Sequence, residues 1–146
     1  MNATIQHSLE PKEFNRLAGV VALNAIFLLL NFYSHTKINA LLSLSQELII
    51  VLMFAFIPFV GLALCWTGQP RYGLIISLGS FPAAIAININ TQFFMPNWPP
   101  IEQPSVIWSV LFHSSLVLCV LSEAAGIVLS FSGLKRIHAS QMESAS

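Results

Sequence analysis

Any chemistry in this chain has to come from few side chains: six glutamates with no aspartate, four histidines and two cysteines. Glu123 stands out because it interrupts the apolar run from about residue 105 to 133. An ionisable group at that depth in a bilayer costs several kcal/mol unless it is paired or wet, so it is read first as a proton or ligand site. Asn24, in the first apolar run, reaches nearly the same depth and is the expected partner. The face of Glu123 carries Cys119, Gly126, Ile127 and Ser130, a small and moderately polar surface suited to another helix. The alternative role for Glu123 is a protonated, hydrogen-bonded acid that only joins helices.

A second polar group gathers toward the opposite end of the runs. It comprises Asn31 and His35, Glu47, Asn88, Asn90 and Gln92, and His113. Asn24, Asn31 and His35 are seven and four residues apart, hence on one helical face; Ser109 and His113 are also four apart. These residues predict a polar cavity around Asn88 and His113, with Trp98 as its lid or anchor. Their other reading is interfacial placement and interhelical hydrogen bonding. His113 with Glu47 as acid and base is a third, enzymatic reading, which requires the two within hydrogen-bond reach.

Other chemistries are disfavoured. His35 lies too near the surface to form an axial haem or metal pair with His113. Cys65 and Cys119 differ in depth by roughly 20 Å at the helical rise, too far for a disulfide, and read as apolar filler. No glycine-rich phosphate loop, HExxH or CxxC is present. With net charge zero and no basic run, nucleic-acid binding has no electrostatic footprint. No cofactor or metal is expected.

The elements that must position these residues follow from hydropathy. Of 146 residues, 55% are hydrophobic and 8% charged, whereas soluble domains carry about 25% charge. Four apolar spans of about 20 residues each account for that composition. The expected fold is all-α, an integral membrane four-helix bundle forming a single membrane domain. Its spans lie near 14–33, 47–66, 72–94 and 105–133, with polar tails at 1–13 and 137–146. The first run lacks a small-x-small cleavage site and is expected to be a retained helix.

Between spans, the short leucine-rich stretch 40–44 is expected along the interface, and Pro58 predicts a kink in span two. The turn Thr67-Gly68-Gln69-Pro70-Arg71 should make spans two and three an antiparallel hairpin. Gly73, Ser77, Ser80 and Ala84 allow close helix approach in span three. The connection MPNWPPIEQP, with four prolines, should lie at the surface. Gly133 followed by Lys135 and Arg136 predicts a helix stop, with a disordered tail after it. Trp66, Tyr72, Trp98 and Trp108 fall where interfacial belts are expected.

Lys12, Arg16, Arg71, Lys135 and Arg136 share one side and Lys37 the other, which places both termini in the cytoplasm. The expected location is a bacterial or archaeal plasma membrane. In helix count alone the chain resembles small four-span bacterial proteins such as the DoxX-like group; no motif is shared, and the resemblance implies no residue roles. The sequence supports a non-enzymatic membrane protein first, an accessory subunit or helix-contact factor. Its partners would be the lipid bilayer and either further copies of itself or a larger complex. The alternative is a small transporter or ligand-binding protein using Glu123 with Asn24, and the cavity around Asn88 and His113.

Overall fold

The computed structural model describes residues 9–37, 45, 49–50, 54, 56–93 and 106–143. Four helices follow in order: α1 (Pro11–Lys37), α2 (Ile57–Trp66), α3 (Pro70–Phe93) and α4 (Val106–Glu143). Three of them, α1, α3 and α4, are long and apolar enough to cross a membrane; α2 is a shorter apolar helix. Glu47, Trp98, the connection 95–104, the stretch 40–44 and the side chains of His35 and Gln92 lie outside the described residues.

The helices pack in a ring, α1 against α4, α4 against α3, α3 against α2, and more lightly α2 against α1. Short-range chemistry sets the tightest of these connections. Gly68 closes α2 with φ 82°, a conformation only glycine adopts cheaply. Its neighbour Gln69 donates its N–H back to the Leu64 carbonyl at 2.9 Å, while Thr67 donates to Ala63 at 2.9 Å. This pattern satisfies the last carbonyls of the helix. Pro70 then opens α3, where its missing N–H costs nothing. The expected antiparallel hairpin is thus formed.

Small residues bring α2 and α3 together. A Cβ built on Gly61 would lie 2.5 Å from Ser77 Oγ and 2.9 Å from the Gly73 carbonyl, and one on Gly73 would lie 2.9 Å from Cys65 N. Gly73, Ser77, Ser80 and Ala84 are all buried, as helix-packing residues should be. The opposite seam, α3 on α4, pairs large with small. Leu74 fills the space beside Gly133 and Phe81 the space beside Gly126, seven residues apart on both helices. At the end where α1 begins, Leu17, Cys65 and Leu74 form an apolar cluster with Phe14, Leu62, Leu134 and Ile137 around it.

One expectation about a helix end is corrected. Gly133 does not stop α4, which continues through the supposed disordered tail to Glu143. A glycine ends a helix when it turns to positive φ, and Gly133 does not do so. It is buried against Leu74, Ile137 beyond it packs on the apolar cluster, and Arg136 pairs with Glu13 of α1. Pro58 sits where the backbone departs from a regular α-helix, at the position of the expected kink. It is the second residue of α2, preceded by wide, π-type backbone turns at Phe54 and Phe56. Pro82, by contrast, lies inside α3.

The distribution of polarity is inverted relative to a water-soluble bundle. Asn24, Ser34, Ser77, Ser80, Ser115, Ser122, Glu123 and Ser130 are buried. Leu29, Phe59, Ile75, Val117, Leu121 and Val128 point outward, each at least 45% exposed.

Candidate functional site

Asn24, Asn31 and Asn88 meet polar side chains of α4 in two seams. Ser122 and Glu123 are adjacent, so they leave the helix about 100° apart and face different neighbours. Ser122 faces α1: its hydroxyl lies 2.8 Å from Asn24 Oδ1 and also 2.8 Å from the Cys119 carbonyl. One heptad away in the same seam, Asn31 Nδ2 donates to Ser115 Oγ at 3.2 Å and to the Phe112 carbonyl at 3.3 Å. Asn24 and Asn31 oppose Ser122 and Ser115, both pairs seven residues apart, so the antiparallel helices interlock through two polar layers.

Asn24 has a second contact, and sequence chemistry explains it. In a regular helix the Phe54 carbonyl would accept from residue 58, but that residue is proline and has no N–H. Asn24 Nδ2 lies 3.4 Å from this carbonyl and supplies a donor in its place. The buried amide therefore links α1 to α4 on one side and to the chain entering α2 on the other.

Glu123 faces α3. Its partner is Asn88, whose Nδ2 lies 3.3 Å from one carboxyl oxygen and 3.5 Å from the other. The expected Glu123–Asn24 pair is therefore replaced by Glu123–Asn88 and Ser122–Asn24. Depth along the helices was the same in both arrangements; the direction around α4 separates them. Glu123 is wholly buried and Asn88 half-buried. Cys119 and Gly126, on the same face as Glu123, are buried with it.

His113 is exposed, with Nδ1 2.7 Å from the Ser109 carbonyl of its own helix and its ring edge-on to Phe112. It is turned out of both seams, so the structure does not bring it to Asn88. Asn90 is likewise exposed. Nearby, Tyr33 packs edge-on against Trp108 at 5.6 Å, and Lys37 lies 5.3 Å from the Tyr33 ring centre. Cys65 and Cys119 are both free and buried. Among the described residues no group of three His, Cys, Asp or Glu could hold a metal ion.

Ser115, Ser122 and the Phe54 carbonyl belong to these networks without having been singled out from sequence. The seven-residue repeat of polar positions in α1 and α4 was the available signal. Ser130 Oγ is the exception among the buried hydroxyls, having no hydrogen-bond partner among the described residues. A buried unsatisfied hydroxyl costs about 1–3 kcal/mol, and alanine favours helix. Ser130→Ala should therefore raise the melting temperature of the detergent-solubilised protein; a lower value would show that the hydroxyl is used.

No protein-family model, curated protein or solved structure matches the chain.

Proposed function

We propose that this is an integral membrane protein of four spans, with both ends in the cytoplasm of a bacterial or archaeal cell, that acts without catalysis. Its role is that of an accessory subunit or helix-contact factor, alone, in copies, or within a larger membrane complex. The observation that carries this reading is the inverted polarity. Apolar side chains cover the outside, where lipid or another helix would satisfy them. Asn24, Asn31 and Asn88, with Ser115, Ser122 and Glu123, join helices across the seams. The ion pair of Glu13 with Arg136 holds the start of α1 and the end of α4 together, which supports termini on one side of the membrane.

The test has two parts. Alkaline carbonate should leave the chain in the membrane pellet, and tags on its two ends should report the same side. Extraction in mild detergent from the native membrane should then give an assembly larger than one chain. Release by carbonate overturns the membrane reading, and a lone monomer overturns the subunit role.

One observation favours a second reading, a small transporter or ligand-binding protein. Glu123 is a wholly buried acid whose hydrogen-bond partner is a single amide, and intramembrane acids mark ion and substrate paths. In this reading Glu123 takes part in coupling with Asn88 as its partner, and solute enters from the side of Asn88. Solute flux in reconstituted vesicles that is unaffected by Glu123→Gln would dispose of it.

A further inference from the structure

The Glu123 carboxyl sits in a seam closed on one side and bounded by a half-buried amide on the other. Toward the end that holds the start of α1, the next layers of the α3/α4 seam are Phe81 on Gly126 and Leu74 on Gly133. Phe81 is 0% and Leu74 1% exposed, so the seam is packed with apolar side chains there. Asn88 lies in the direction of Phe93 and Val106 and is half-buried.

The charged and titratable groups that face Glu123 are few. From α3 it meets Asn88, which does not titrate; on α1 the buried Asn24 is held by Ser122. On α4 itself Cys119 is one turn away. Among the described residues no lysine, arginine, histidine or second acid is paired with it. An ionised carboxylate there would depend on one amide donor shared by two oxygens, in a medium that penalises an unpaired charge.

We propose that Glu123 is a proton-binding site, exchanging its proton with water past Asn88, and that the proton-bound form holds α3 on α4 more tightly than the ionised form. The step is a simple transfer: hydronium gives a proton to one carboxylate oxygen and leaves as water, and the reverse occurs on release. Asn88 Nδ2 reaches both carboxyl oxygens and can donate to either form, but the ionised form also carries the cost of a buried charge with one neutral partner, which the neutral acid does not. The α3–α4 contact therefore weakens as pH rises through the midpoint of this group. The inference rests on the membrane reading and deepens the second one, giving the buried acid a ligand, the proton, and a readout, helix contact.

The experiment uses the full chain in phosphatidylcholine vesicles, with ¹³C-labelled glutamate side chains followed by infrared spectroscopy across pH. The expected result is a protonated-carboxyl band that Glu123→Gln removes. Above its midpoint, that band falls about tenfold per pH unit. Asn88→Leu, which leaves the acid without its amide, should move the carbonyl stretch to higher frequency. Thermal melting of the wild type should decline over the same pH interval, whereas Glu123→Gln, a permanently neutral amide, should melt independently of it. If Glu123→Gln fails to fold, the Asn88→Leu band shift decides. A spectrum with no pH-dependent band lost in Glu123→Gln, or one unmoved by Asn88→Leu, overturns the proposal. Failure of the membrane reading is seen separately, as release of the chain by carbonate.

Discussion

Gly73→Leu should prevent α2 and α3 from packing, with a loss well above the roughly 1–3 kcal/mol typical of overpacked cores. The groups a side chain at residue 73 would strike are backbone as well as sulfur: the Gly61 carbonyl, Cys65 N and Cys65 Sγ. Backbone in two packed helices cannot yield without separating them. Gly126→Leu should also be severe, since the space is filled by the Phe81 ring, whose Cζ and Cδ2 would lie 2.6 Å and 2.7 Å from a Cβ at that position. Here the obstacle is a side chain, so Phe81→Ala should restore part of the loss at residue 126. No truncation of Cys65 should do the same at residue 73. Gly79→Leu is the control: nothing lies within 4 Å of its Cβ position, and its melting should be close to wild type. Thermal melting in detergent, with helix content from circular dichroism, checks all of these variants. Equal losses at residues 73 and 79 would show that helix propensity, not close approach, governs these positions.

The contrast among these glycines shows what can be read from sequence and what cannot. Composition and apolar run length were enough for an all-helical chain with long apolar helices, because burying or exposing whole segments of about 20 residues is a large energy. The face of Glu123 was also legible, since residues three and four apart must share it. Neither kind of information says which helix that face meets. Ser122 and Glu123 differ by one residue, and that step sends one to Asn24 and the other to Asn88. Depth alone therefore paired the wrong amide with the acid. Gly133 resisted for a related reason. Glycine followed by Lys and Arg resembles a helix end locally, but Leu74, Ile137 and the Glu13–Arg136 pair come from packing between helices and carry α4 onward.

Asn24→Leu should be the most damaging of the polar substitutions, and its cost should depend on whether residue 58 is proline. The leucine removes the acceptor of Ser122 and the donor to the Phe54 carbonyl together. Ser122 tolerates the change, because its hydroxyl also lies 2.8 Å from the Cys119 carbonyl. The Phe54 carbonyl loses its side-chain donor, and Pro58 has no N–H to replace it. An orphaned buried acceptor costs about 1–3 kcal/mol, while interhelical hydrogen bonds in membranes average nearer to about 0.6 kcal/mol. The loss should therefore approach about 3 kcal/mol, exceeding that of Asn31→Leu, whose own side chain is half-buried. Pro58→Ala returns an N–H that can reach Phe54 once the wide turn regularises. In that background Asn24→Leu should cost at least about 1 kcal/mol less, a coupling that a double-mutant cycle measures directly. Strict additivity of the two substitutions would mean that Asn24 acts through Ser122 alone, and the link from α1 to the chain entering α2 would carry no energy.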